Sequence, residues 1–213
     1  MNNLAFDLVI FDCDSVLVES EELACRIYVD IFHEYGFELD YTETLDNRVK
    51  ISAQELGWTP PAEFIPNFLQ RQLAASETEL KPIPHIHELI KSITLPICVA
   101  SNGKREEILM RLRVAKLTDY FGDAIFSGTE VPHPKPAPDV YLAAAKHFNI
   151  HPSRCVVIED SVLGVTAGVA AGMKVYGHAA FNSAAALRAV GAIPFTSILE
   201  LKEILASESS PVA

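Results

Sequence analysis

The sequence predicts an α/β protein, a parallel sheet between layers of helices, broken open after its first strand by an all-helical insert. Three observations carry this. The run Leu8-Val9-Ile10-Phe11 has no polar face, as a strand buried on both sides of a parallel sheet requires. From Pro82 onward, short apolar runs alternate with helical periods, the mark of βα units joined by right-handed crossovers. Residues 16–81 show helical periodicity and no strand alternation. The core is therefore assigned to residues 1–15 and 82–213, and the helical unit to 16–81. A chain of 213 residues suffices for one core domain with a smaller insert.

Each element follows from its local pattern. After the first strand, Leu23, Ile27, Ile31 and Tyr35 recur at every fourth position with polar residues between them, which predicts an amphipathic helix stopped by Gly36. Two further helices are expected at 42–56 and 61–77, separated by Gly57-Trp58-Thr59-Pro60-Pro61. Lys81-Pro82-Ile83-Pro84 closes the unit and supplies a hinge. Helix 85–92, strand 97–100, helix 105–114 and strand 124–127 follow. Helix 139–148, strand 155–159, helix 162–171 and strand 174–177 continue the alternation. Helix 183–190, a short strand near 194–196 and a last helix at 198–206 complete it, with a frayed tail from Ser207.

Composition narrows the function. A content of 49% hydrophobic and 21% charged residues is that of a soluble globular protein. No apolar segment approaches the roughly 18–20 residues of a membrane span, so no membrane partner is expected. The opening MNNLAFDLVIFDCD lacks a basic flank and a cleavage site, and reads as a strand, with the cytoplasm as the expected location. Cys13, Cys25, Cys98 and Cys155 form no CxxC pair and suit small buried hydrophobes. The net charge of −11, without a basic run, argues against nucleic acid. A small anionic substrate stays possible, because the local field of a cleft can oppose the global sign. Nothing marks a large apolar interface, so a monomer or weak dimer is expected.

The polar groups that matter collect at strand ends, where open α/β sheets bind ligands. Asp12 and Asp14 end the first strand; alone they would be an acidic turn. Ser101-Asn102-Gly103 ends the second and leads into a helix N-terminus, a seat for phosphate or simply an N-cap. In Val131-Pro-His-Pro-Lys-Pro-Ala-Pro, four prolines stiffen the loop that carries Lys135. Glu159-Asp160-Ser161 ends the fourth strand, before a helix rich in Gly and Ala that can pack close to the sheet. Together these groups suit phosphoryl transfer. Acids suit Mg²⁺, a carboxylate can attack phosphorus, and lysine and metal offset charge on its oxygens.

With these motifs the chain resembles the haloacid dehalogenase superfamily, Rossmann-like phosphatases that carry a helical cap inserted after the first motif. FDCDSVLVES is similar to the first motif, which implies Asp12 as nucleophile and Asp14 as general acid and base. VASNG corresponds to the second, placing Ser101 and the Asn102 backbone on the phosphate. HPKPAPDVY resembles the third, with Lys135 on phosphate and nucleophile. VVIEDSVLGVTAGVAAGM resembles the fourth, with Asp160 and Glu159 serving Mg²⁺ beside Asp12 and the Asp14 main-chain carbonyl. Three positions depart from the pattern: Ser15 and His85 replace glycines, and Glu19 replaces an aspartate.

The resemblance implies a Mg²⁺-dependent phosphatase of a small phosphorylated metabolite (a sugar phosphate, a sugar-acid phosphate such as 6-phosphogluconate, or phosphoglycolate) acting through an aspartyl-phosphate. SEELACRIYVDIFHEYGF looks like the cap helices of 6-phosphogluconate phosphatases. Arg48 and Lys50 fall where such caps carry specificity residues, although two solvated helix-surface cations would read the same way. The presence of Asp14 argues against carbon–halogen and carbon–phosphorus cleavage. A β-phosphoglucomutase-like activity is the alternative, but the cap histidine of those mutases is replaced by Ala24. A non-catalytic phosphosugar sensor is the alternative of another class, set against intact catalytic positions. Receiver domains also form an aspartyl-phosphate, but they are shorter and lack the second acid and the insert.

Overall fold

The computed structural model describes residues 6–41 and 57–209. The first apolar run is strand β1 (Leu8–Phe11), with all four side chains buried. The insert follows as α1 (Ser20–Glu34) and α2 (Phe64–Glu79), and α3 (Ile86–Ser92) leads back to β2 (Ile97–Ser101). α4 (Arg105–Val114) and the short α5 (Thr118–Phe121) precede β3 (Ile125–Ser127), and α6 (Asp139–His147) precedes β4 (Cys155–Glu159). α7 (Val162–Ala170), β5 (Lys174–His178), α8 (Ala184–Ala189), β6 (Ile193–Phe195) and α9 (Ile198–Ser209) finish the chain. The helix expected at 42–56 lies outside the described residues.

Among the described residues six strands form one sheet, all parallel, in the Rossmann-like order β3-β2-β1-β4-β5-β6. The chain builds outward from β1 through β2 and β3, then returns to the other flank of β1 for β4. That reversal opens a crevice at the carboxyl ends of the central strands, which positions the site.

Strand side chains alternate between faces, so the sheet carries two cores. Leu8 and Ile10 join Cys98, Ala100, Val157 and Val175 beneath Val140, Tyr141 and Ala144 of α6 and Val165 of α7. Val9 and Phe11 join Val99, Val156 and Ile158 on the other face, beneath Leu89 of α3, Ile108 of α4 and Leu201 of α9. This second core continues into the insert through Leu17, Val18, Ile27, Ile31 and Phe32.

Of the predicted stripe of α1, Leu23, Ile27 and Ile31 are buried on its inner face, whereas Tyr35 is the exposed residue that caps the helix end. Gly36, at φ +85°, ends the helix in a left-handed turn. The Gly36 amide donates to His33 O (2.9 Å) and that of Phe37 to Phe32 O (3.0 Å), the paired bonds of a Schellman stop. Trp58, the chain's single tryptophan, lies 5.0–5.5 Å in ring centroids from Phe32, Tyr35, Phe37 and Phe64, tying α1 to α2. At the root of the insert the departing and returning segments bond to each other: Glu19 N to Lys81 O (2.9 Å) and Ile83 N to Leu17 O (3.0 Å).

Three features differ from expectation. α2 begins at Phe64 and not at 61, after a turn in which Phe64 N donates to Pro61 O (3.0 Å). α5 lies where no helix is predicted. α9 also outlasts its predicted end at Ala206, because Glu208 accepts bonds from Lys174 and from the Tyr176 hydroxyl (2.5 Å).

Candidate active site

The crevice contains a cavity of about 210 Å³. Asp12, Asp14, Ser101, Asn102, Lys135, Glu159 and Asp160 all line it, joined by Gly103, Ser161, Leu163 and, from α1, Glu21. A larger hollow of about 510 Å³ lies at the root of the insert, between Leu23 and Arg26 of α1 and the return at Leu80 and Lys81; it holds none of the strand-end groups. Arg48 and Lys50 lie outside the described residues.

Lys135 organises the site. Its ammonium donates to Asp12 Oδ1 (2.6 Å), Glu159 Oε1 (2.7 Å) and Ala100 O (2.9 Å), and lies 4.7 Å from the centre of the Tyr141 ring. All three ammonium protons are therefore placed. The stiff loop alone does not aim it: the Asn102 side chain accepts from Lys135 N (2.9 Å) and donates to Lys135 O (3.1 Å), clamping loop to strand end. Gly128 gives the clamp room, since a methyl there would meet Asn102 Oδ1 at 2.6 Å.

Glu159 is held from both ends. Oε1 accepts from Lys135 and from the Tyr141 hydroxyl (3.0 Å), while Oε2 accepts from Asp160 N (2.9 Å), Ser161 N (2.8 Å) and Ser161 Oγ (2.9 Å). Burial works to raise this carboxyl, but Lys135 and the Ser161 donors overcome it and hold it below the ordinary range. Asp12 differs. Burial pushes it up to about 7 against the pull of Lys135, with Glu159 and Asp14 adding to the push. For Lys135, burial works to lower the ammonium, and Asp12 and Glu159 reverse it.

Asp14 is bound differently from Asp12. Its Oδ2 accepts from Arg111 Nη1 on α4 at 3.0 Å, and its Oδ1 is buried without a partner. Ser101 Oγ accepts from Gly103 N (3.2 Å), at the turn that opens toward α4. His178, stacked on Phe195, donates from Nδ1 to Ser15 O (3.0 Å) and so braces the turn after the acidic pair. Burial lowers the pKa of its imidazole.

Tyr141, Arg111 and His178 are additions to the residues singled out from sequence. Tyr141 stands inside the motif HPKPAPDVY and was open to notice there. Arg111 reads only as a cation in the last turn of a helix, and His178 only as a strand residue. Their roles depend on contacts spanning 97 and 163 residues, which no local pattern encodes.

One acidic cluster can hold a cation. Single carboxylate oxygens of Asp12, Glu159 and Asp160 lie within 4.8 Å of one another, and all three residues are buried. Lys135 is the cation bonded to two of them, so buried negative charge exceeds what it offsets. Hard oxygen donors in this number fit Mg²⁺.

The sequence model of the haloacid dehalogenase-like hydrolases matches residues 9–178. The chain is 33% identical over 179 residues to the 6-phosphogluconate phosphatase of Escherichia coli, covering 80% of this chain and 81% of that one. It is 32% identical over 215 residues to the phosphorylated carbohydrates phosphatase of Thermotoga maritima, covering 93% and 98%. A crystal structure of a hydrolase of this family from Deinococcus radiodurans, with bound phosphate and sodium, superposes with a TM-score of 0.86 at 35% identity, covering 99% of this chain and all of that one. Fold, cavity and relatives define an enzyme of the α/β phosphatase class. The chain belongs to the haloacid dehalogenase-like hydrolase family.

Proposed function

We propose that the enzyme is a Mg²⁺-dependent phosphatase of a small sugar or sugar-acid phosphate, acting through an aspartyl-phosphate on Asp12. The observation that carries this reading is the Lys135 ammonium, bonded at once to Asp12 and Glu159 on the wall of a cavity that also presents Ser101 and Asp14.

Asp12 Oδ attacks phosphorus and the bond to the leaving oxygen breaks; Asp14 gives that oxygen its proton. Asp14 then takes a proton from water, whose oxygen attacks the same phosphorus and returns Asp12 and inorganic phosphate. Ser101 Oγ and the Asn102 main-chain N–H hold the other phosphoryl oxygens, and the positive charge of Lys135, held beside Asp12, offsets their negative charge. Asp12, Asp160 and the Asp14 carbonyl would hold Mg²⁺. Glu159 completes the acidic surround while anchoring Lys135 and the main chain at 160–161. When bound, the metal offsets charge on the phosphoryl oxygens.

Residues 16–81 act in this reading as a cap over a core of residues 1–15 and 82–213, with Arg48 and Lys50 as specificity residues and Glu21 already at the cavity wall. The named substrates of the E. coli and T. maritima relatives support a phosphorylated carbohydrate, with 6-phosphogluconate the first compound to try.

The test is phosphate release from a panel of phosphomonoesters with Mg²⁺, beside Asp12→Asn. The panel includes 6-phosphogluconate, phosphoglycolate, hexose and pentose phosphates and nucleotides. Release that needs the metal and falls at least about 10³-fold in the variant is expected. Interconversion of glucose 1- and 6-phosphates without release would instead make the enzyme a mutase, and silence in both assays would sink the catalytic reading.

A further inference from the structure

Arg111 touches the proposed acid/base, yet the reaction as written gives it no task. It stands in the last turn of α4, where any cation is favoured by the helix dipole, and its exposed neighbour Arg113 needs no other account. Arg111 is different. Its side chain is only 13% exposed, and it reaches Asp14 Oδ2 at 3.0 Å. Gly103 leaves it the space, because a methyl there would stand 3.3 Å from Arg111 Nη1. The guanidinium is absent from the cavity wall, whereas Asp14 is part of it. Arg111 therefore acts on a bound substrate through Asp14. Its bond fixes Oδ2, while Oδ1 is buried without a partner and is not the accessible part of the side chain.

The geometry points to Arg111 as a positioning residue: through Oδ2 it sets the Asp14 side-chain rotamer, so that the carboxyl on the cavity wall faces the leaving oxygen of the substrate. This rests on the proposed acid/base role of Asp14. A planar guanidinium anchored on a helix restrains a carboxylate's direction, which a flexible ammonium at the same position does less well.

Leaving groups separate positioning from mere packing. p-Nitrophenolate departs without a proton, so kcat/KM for p-nitrophenyl phosphate reports attack by Asp12 alone; an alkoxide needs a proton, and the proposed role makes Asp14 its donor. For an alkyl phosphomonoester, Arg111→Met is expected to lower kcat/KM by about 30–100-fold. For p-nitrophenyl phosphate the fall should stay within about threefold, because that step asks nothing of Asp14. Arg111→Lys, which keeps the charge, should recover part of the alkyl activity. It also carries the comparison if the Met protein does not fold. Asp14→Asn, run in parallel, should show the same split more strongly. Equal losses on both substrates for the Arg111 variants, or no loss, beside a split in Asp14→Asn, would overturn the positioning role alone. No split in Asp14→Asn would overturn the acid/base reading and the role of Arg111 with it.

Discussion

Ser15 holds φ at +56°, in the left-handed region that costs a residue with a Cβ about 1–2 kcal/mol. Its hydroxyl adds to the cost, being buried without a partner. The conformation persists because its surroundings over-determine it: Ser15 N donates to Val18 O (2.8 Å) and Ser15 O accepts from His178. Ser15→Gly should therefore stabilise the protein by about 1 kcal/mol, the relief of strain exceeding the extra chain entropy of glycine. Urea unfolding checks this, and an unchanged or lower midpoint would mean the turn is not strained. His85 repeats the pattern at φ +65° where the chain enters α3, but there Nδ1 meets Glu88 Oε1 at 2.9 Å and offers some return. Both departures from the family's glycines were visible in the sequence. Their backbone conformations are what make them costly.

At the scale of elements, α7 shows why small residues were needed. A methyl on Gly164 would fall 1.6 Å from Glu159 Oε1, and one on Gly168 would fall 2.7 Å from Val175 Cγ2. Val175 can turn aside; Glu159 cannot without releasing Lys135. Gly164→Ala should thus cost both stability, by about 1–3 kcal/mol, and activity, by about 100-fold. Gly168→Ala should cost stability alone. Thermal melts and kcat for the pair decide it, and equal activity losses would assign the effect to helix packing. The Gly-Ala composition of this helix disclosed its close approach, just as apolar runs disclosed the strands. The sheet was legible because burial on both faces writes itself into a strand as an unbroken apolar run, as in Leu8–Phe11. What stayed hidden was cross-chain bonding: the Asn102 clamp on Lys135, the Arg111 contact with Asp14 and the brace from His178. Each joins residues far apart in sequence, and each uses a residue type that has an ordinary local reading.

On the scale of the whole molecule, the balance is between a buried acidic cluster and what neutralises it. Asp12, Glu159 and Asp160 converge beside one lysine, in a chain already at −11. Without a cation, the cluster relieves itself by keeping a proton on Asp12, whose pKa is raised to about 7, chiefly by burial. A carboxyl raised in the folded state contributes stability that is complete below its unfolded pKa and is lost as pH rises through the folded value. The metal-free protein should accordingly lose this contribution between about pH 4 and pH 7. In the proposed reading Mg²⁺ would take the place of the proton, so its binding should strengthen across the same rise in pH. At a hundredfold excess over its dissociation constant, the metal adds about 2.7 kcal/mol, or roughly 5–10 °C in Tm for a chain of this size. The shift should be largest near pH 8 and shrink by pH 6, and Asp160→Asn should flatten it. Thermal melts with Mg²⁺ and with a chelator measure this without reference to turnover. A shift that ignored pH, or survived in Asp160→Asn, would place the cation elsewhere on this acidic surface and leave the buried cluster to its proton.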